Sequence, residues 1–245
     1  MAALCATCAL IVAGCGTKPA AGAHESAATW RGPALFSVLR RLPNYADSAS
    51  ILESDSEGEI AYAQDGAYTG SNYREDVTGQ GKSQAFMGAT SLIRADGNYY
   101  IDLSATPQNP GFQVGWYKIG STVTGPYTLV MENFSQIATA WNARLVDSSA
   151  RVTGSCSRLG RKGILWRVKF RIPQEAGLKP VAYGTACTDA KTGAPLSIDL
   201  SYRALDSAGN AVRYQDHFAL TALGSVPEIT APAGAAPAPK ISYSQ

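Results

Sequence analysis

The residues with the greatest capacity for chemistry in this 245-residue chain are five cysteines and two histidines. Three cysteines lie in an apolar N-terminal stretch, and the other two, Cys156 and Cys187, lie far along the chain. Asp216 precedes His217, but successive strand residues face opposite sides, so this carboxylate cannot orient the ring directly. Asp216 also falls among apolar residues of a strand pattern, where a buried acid needs a partner or marks a bulge.

The sequence shows no nucleophile elbow, no zinc-protease helix motif and no phosphate-cradling glycine loop. Residues 53–58 place acids at alternate positions before a glycine, as calcium loops do, but the twelfth position holds Gln64 instead of the required Glu. We interpret that segment as the solvated face of a hairpin. We therefore expect no enzyme activity, no catalytic residue, no metal site and no cofactor.

Cys15 ends an uncharged run of small and apolar residues, 3–14. This run is too short to span a bilayer, which needs about 20 helical residues, and its small C-terminal residues are typical of a secretory signal. The segment 12–15 (VAGC) resembles the bacterial lipobox, whose cysteine receives a diacylglycerol after cleavage before it. We predict a signal peptide over 1–14 and lipidation at Cys15, although no Lys or Arg precedes the run. The alternative is a soluble protein with an incidental alanine-rich start.

Composition divides the remainder of the chain. Residues 15–30 contain the lipidated cysteine and a Gly/Ala/Ser-rich tether, and a flexible coil of this length would hold a domain roughly 20 Å from its anchor. We expect one folded domain over 31–230 and an Ala/Pro-rich disordered tail over 231–245. These features predict a location in the cell envelope, on the extracytoplasmic face of the plasma membrane.

Charge and hydrophobicity limit the function classes. Hydrophobic residues make up 45% of the chain, enough to fill a core, and the net charge of +2 argues against a dedicated nucleic-acid binder. We expect a monomer with no nucleic-acid partner. Seven basic and no acidic residues lie between Asp147 and Glu175. This segment is either a solvated outer sheet face or a surface that docks on anionic headgroups.

Two segments have helical spacing, 33–42 and 127–142, and the second carries one apolar stripe that includes Phe134 and Trp141. Most other segments alternate as strands, most clearly over 164–172 and 196–202, with one apolar and one polar face. Asp65-Gly66 and Asp96-Gly97 are hairpin-turn signals. We predict nine to eleven antiparallel strands and an α+β, mainly antiparallel β fold. Its sheet is a curved half-barrel with the helices packed on the concave side.

A sheet of this size tends to curl or split, and two helices cannot cover its whole apolar face. An apolar hollow is therefore expected where helix stripe and sheet face meet. Its candidate lining residues, each of which could equally be ordinary core, are Phe134, Ile137, Trp141, Trp166, Val168 and Phe170.

The order of these features resembles the LppX/LprG-type lipoproteins of actinobacteria, which share a fold with the LolA and LolB carriers. The resemblance rests on the VAGC motif, on 96–100 (DGNYY), and above all on 192–196 (TGAPL) with 226–232 (VPEITAP). It implies a hydrophobic cavity that binds a lipid, lipoglycan or other acylated amphiphile, a role in lipid transport, and no catalytic residues. The alternative function is an envelope scaffold or sensor without lipid cargo.

Cys156 and Cys187 are the two cysteines of the predicted domain, and exported chains meet oxidising conditions that favour a disulfide. In a simple meander, however, they would lie two strands apart, about 9.6 Å by strand spacing. Disulfides usually need Cα atoms within about 7 Å. We predict the disulfide, with the two strands leaning together near a shared turn.

Overall fold

A computed structural model describes residues 29–32, 34–55, 58–81, 91–103, 114–123, 127, 134, 141–171, 181–205 and 209–238. The ordered elements are α1 (Ala34–Leu39), β1 (Asn44–Asp55), β2 (Gly58–Thr69), β3 (Asn72–Gly81), β4 (Ser91–Ala95), β5 (Asn98–Leu103), β6 (Gly115–Gly120), β7 (Ser149–Arg158), β8 (Arg161–Arg171), β9 (Val181–Asp189), β10 (Pro195–Leu205), β11 (Ala211–Leu223) and β12 (Ala236–Pro237). Residues 141–145 are also helical, as are Tyr127 and Phe134.

All twelve strands form one sheet in the order β12-β6-β5-β4-β3-β2-β1-β11-β10-β9-β8-β7. Every neighbouring pair is antiparallel except β12 and β6, which pair in parallel. The sheet is curved but not closed, because β7 and β12 remain at opposite edges. The prediction of a mainly antiparallel β fold is confirmed.

Strand periodicity determines which side chains enter the core. In β8, Trp166, Val168 and Phe170 are buried, whereas Arg167 and Lys169 between them are exposed. We call the face that carries Trp166 the inner face and the opposite one the outer face. Leu35 and Leu39 of α1 are buried in the same inner cluster as Trp166 and Val168, so this helix covers the β8–β11 part of the inner face.

A second inner cluster lies under the other half of the sheet, where Tyr127 and Phe134 pack with Val77, Leu92 and Ile101. On the outer face of that half, Ile229 of the C-terminal segment packs against buried residues of β4 and β5. Both faces of β4 and β5 are therefore covered, whereas the outer face of β7–β11 has no such cover among the described residues.

Two sequence expectations need correction. Asp65-Gly66 is not a turn: both residues lie within β2, and the chain reverses after Thr69. A Cβ atom at Gly66 would clash with an Asp47 carboxylate oxygen. The glycine therefore allows the Asp47 side chain of the neighbouring strand to pack against the β2 backbone. Asp96-Gly97 does form its hairpin turn, with φ of 51° and 74°.

The second correction concerns the tail. Residues 231–238, predicted to be disordered, are ordered against the sheet: Ala231 and Ala235 pack with Ile229, and β12 pairs with β6. The Ala/Pro composition concealed this because the segment gains its hydrogen bonds from a distant strand edge. Residues 239–245 lie outside the described residues.

Candidate ligand cavity

A cavity of about 250 Å³ lies between the helical residues and the inner face of β1–β4. Its wall is formed by Phe36, Leu39, Arg40, Tyr45, Asp47, Ala49, Gln64, Tyr68, Tyr73, Glu75, Leu92, Phe134, Trp141, Asn142 and Phe218. The inward positions of β1, β2 and β3 alternate along the chain, which places Asp47, Gly66 and Glu75 in one row across three strands.

One side of the cavity is apolar and aromatic. The Phe36 ring packs edge-on against Phe218, with centroids 5.1 Å apart, and lies 6.4 Å from Trp141. Aromatic contacts of this geometry add about 0.5–1.5 kcal/mol beyond area burial. This wall offers an apolar surface to a hydrocarbon group.

The opposite side is polar and carries two acids. The Tyr68 hydroxyl donates a hydrogen bond of 2.9 Å to Glu75, and the Tyr68 ring stacks on Tyr45 with centroids 4.4 Å apart. Burial, together with the nearby carboxylates of Glu75 and Asp65, raises the pKa of Asp47 to about 7. The hydrogen bond from the Gly66 backbone N–H opposes this rise. Burial also raises the pKa of Glu75, partly offset by the Tyr68 hydrogen bond and the Arg40 charge.

This arrangement combines an aromatic wall with a polar wall that offers carboxylate oxygens and hydroxyls. It can bind a small amphiphile whose apolar part lies on Phe36, Phe134 and Trp141 and whose polar part donates to Asp47 or Glu75. Among the described residues, no group of three or more His, Cys, Asp or Glu side chains comes close enough to hold a metal ion.

The structure separates the predicted lining residues into two groups. Phe134 and Trp141 line the cavity. Trp166, Val168 and Phe170 are instead packed in the core beneath α1, and Ile137 lies outside the described residues. The polar wall was missed because β1–β3 have a weaker apolar alternation than β8, so their inward acids could not be recognised.

Cys156 and Cys187 are joined by a disulfide with a Cα–Cα distance of 6.1 Å. The bridge crosses the strand between them at Gly163, where a Cβ atom would lie 2.8 Å and 2.9 Å from the two sulfur atoms. The missing side chain at Gly163 therefore resolves the geometric difficulty raised by the strand spacing.

The acid and histidine of β11 have separate partners on opposite faces. Asp216 is 2% exposed and forms an ion pair with Arg144, from the helical residues that follow Trp141. His217 Nδ1 lies 2.6 Å from an Asp199 oxygen on the outer face. The segment proposed and rejected as a calcium loop belongs to the β1–β2 hairpin, where Asp55 pairs with Gly58.

No helix among the described residues has the length and apolar character needed to cross a bilayer. No protein-family description matches the chain, and no curated protein does.

Solved structures offer distant likenesses. The structure of MucB in complex with the periplasmic part of MucA is 17% identical over 83% of this chain and 58% of its own length, with a TM-score of 0.29. A LolA superfamily protein from Nitrosomonas europaea is 10% identical over 79% and 94% of the two chains, with a TM-score of 0.26. A putative outer membrane lipoprotein-sorting protein domain from Vibrio parahaemolyticus is 9% identical over 78% of this chain and 90% of its own length, with a TM-score of 0.24. The chain spans less than two thirds of the MucB chain, and likenesses this weak carry no functional argument.

Proposed function

We propose that this protein is an LppX/LprG-type envelope lipoprotein that binds a small amphiphile, such as an acylated lipid, in the cavity between the helical residues and β1–β4. The observation that carries the proposal is the cavity itself, with aromatic side chains on one wall and hydrogen-bonding groups on the other. Binding would come from burial of apolar surface, at about 25 cal/mol per Å², and the acids would select the polar end.

Membrane attachment through a diacylglycerol on Cys15 is the second part of the proposal. Near the start of the described residues, the Trp30 indole N–H donates to Ser148 Oγ at 2.9 Å and its ring lies 5.6 Å from Trp166. Only 14 residues separate Cys15 from Trp30. The domain would therefore stay close to the membrane and could exchange an amphiphile with it.

Filling the cavity is expected to weaken binding. Ala49 faces the cavity and is 7% exposed, so Ala49→Leu adds three carbon atoms to its wall. We expect the affinity for N-phenyl-1-naphthylamine, an uncharged apolar fluorophore, to fall at least tenfold. The measurement is a fluorescence titration of the full chain carrying Cys15→Ser, purified without detergent.

Ser50→Leu is the matched control, because Ser50 is the next residue and pairs on the outer face with His217 and Ala63. It should bind the fluorophore within twofold of the unfilled protein. Equal affinities of the Ala49→Leu and Ser50→Leu proteins, together with no lipid in a solvent extract of the native protein, would contradict cavity binding.

A cargo-free scaffold or sensor is the second candidate function. It is favoured by the packing of Val168 and Phe170 in the buried cluster beneath α1 and by the modest size of the cavity. The fluorophore titration and the solvent extract decide between the two functions.

Cys15→Ser is expected to release the protein from the membrane fraction into the soluble fraction, because two acyl chains are needed for stable anchoring. Metabolic labelling with a radioactive fatty acid should mark the wild-type chain and not the variant. An unlabelled wild-type chain would contradict lipidation at Cys15.

A further inference from the structure

The outer face of β7–β11 carries a positively charged surface that does not line the cavity. Strand register places Arg151 opposite Arg167 and Arg203 opposite Arg213, all with exposed side chains. We define the basic face by these residues and two neighbours: Arg151, Arg167, Lys169, Tyr183, Arg203 and Arg213.

Two directly opposed arginine pairs are costly for a sheet, because like charges on opposite residues repel and destabilise the strand pairing. Within the described ranges, none of these four arginines forms a salt bridge. Arg167 instead lies over the Tyr183 ring, 5.1 Å from its centroid. Among the described residues, this positive charge is therefore concentrated on one face and not paired with carboxylates.

The two carboxylates that β8–β10 place on this side have other partners. Asp199 lies against His217, and Asp189 accepts hydrogen bonds from the Lys191 and Thr192 backbone N–H groups. Burial would raise the pKa of Asp189, but these hydrogen bonds outweigh it and the pKa is lowered. The two described carboxylates of β8–β10 therefore do not pair with these arginines.

One half of the outer face is covered by the C-terminal segment, whereas the other half has an open depression. The C-terminal segment covers β4 and β5 through Ile229. Beside β7, Ser149, Arg151, Arg167, Lys169 and Tyr183 surround an open depression. Tyr183 is 50% exposed there, and tyrosine is enriched where protein meets the headgroup layer of a membrane.

We infer that the basic face docks on the anionic phospholipid headgroups of the bilayer that holds the Cys15 anchor. Charge complementarity argues for this occupant. Trp30 packs against Trp166 on the inner side near the β7 edge, so the preceding residues would pass around that edge to bring the outer face to the bilayer. A tether of 14 residues reaches roughly 20 Å. The inference uses the membrane location of the proposed function but not its cavity.

The experiment measures cosedimentation of the full chain carrying Cys15→Ser with vesicles of 30% phosphatidylglycerol and 70% phosphatidylcholine. The test variant adds Arg151→Gln, Arg167→Gln, Arg203→Gln and Arg213→Gln. Each basic residue near an anionic surface contributes about 1 kcal/mol, a factor of about five, so loss of four should lower the partition coefficient on the order of several hundredfold. Raising the salt concentration should remove most of the difference.

The matched control replaces four exposed basic residues away from this face, with Arg31→Gln, Arg41→Gln, Lys118→Gln and Lys191→Gln. It should bind within about threefold of the parent. All three proteins share residues 1–28, so any contribution of the apolar leader cancels. The test variant should melt no lower than the parent, because the substitutions remove like-charge repulsion.

Equal loss of binding in the test and control variants would overturn the inference, since only net charge would then matter. Tighter binding of soluble polyphosphate than of the vesicles would also overturn it, in favour of a soluble polyanion. The test variant should retain fluorophore binding, so failure of vesicle docking and failure of the cavity proposal are separately visible.

Discussion

Replacing Arg144 by methionine is expected to lower the free energy of unfolding by about 3–5 kcal/mol at pH 8, because it leaves a buried carboxylate without its cation. The Asp216 side chain is 0% exposed and that of Arg144 is 15% exposed. Burial raises the pKa of Asp216 to about 6, although Arg144 acts to lower it. Urea denaturation followed by tryptophan fluorescence measures the loss.

The stability loss of Arg144→Met should depend on pH. The folded-state pKa of Asp216 lies above its ordinary value of 3.8, so protonation favours the folded state and stability falls as the pH rises through that interval. Removal of Arg144 raises the folded pKa further. The deficit of Arg144→Met should therefore be larger at pH 8 than at pH 5, where Asp216 can take up a proton.

A double variant separates the buried charge from lost packing. Arg144→Met combined with Asp216→Leu removes both ions, and well-packed apolar replacements of buried ion pairs are often neutral or stabilising. We expect the double variant to recover most of the stability lost by Arg144→Met. If both variants are equally unstable at both pH values, the ion pair is not the cause.

Gly163→Ala is expected to lower the free energy of unfolding by about 2–4 kcal/mol under oxidising conditions, in the range of a native disulfide. The added Cβ would lie 2.7 Å from the Thr188 carbonyl oxygen and under 3 Å from both sulfur atoms. The bridge and its strand cannot both keep their positions. Thermal melts and a count of free thiols measure the two consequences.

Gly154→Ala is the matched control on the neighbouring strand, because a Cβ there meets nothing within 4 Å. It should change stability by less than about 0.5 kcal/mol, as surface substitutions usually do. In a background with Cys156→Ala and Cys187→Ala, the Gly163→Ala penalty should shrink, since only the Thr188 contact remains. A penalty as small as that of Gly154→Ala in the disulfide-bonded protein would contradict the crossing geometry.

Local periodicity was sufficient for the strands with one strongly apolar face. The alternation in 164–172 correctly placed Trp166, Val168 and Phe170 inward and Arg167 and Lys169 outward, because side-chain direction in a strand depends on its own period of two. The hairpin at Asp96-Gly97 followed from residues that tolerate positive φ. These features depend on neighbours in sequence, so sequence is enough to find them.

Other features depend on residues far apart in the chain. Asp65-Gly66 has the local signature of a turn, yet it continues β2 because Asp47 and Tyr68 lie against Gly66. Arg144, 72 positions before Asp216, could not be identified as its partner from spacing.

The sequence by itself determined the mainly antiparallel sheet, the direction of side chains along β8 and β10, and the charge separation along the chain. Tertiary structure alone decided that the candidate cavity with the two acids lies under β1–β4, that Gly163 opens a path for the disulfide, and that 231–238 joins the sheet edge. The physical reason is that empty space and close approach depend on which elements meet. Which elements pack together depends on many contacts between residues far apart in sequence, whereas periodicity depends only on neighbouring residues.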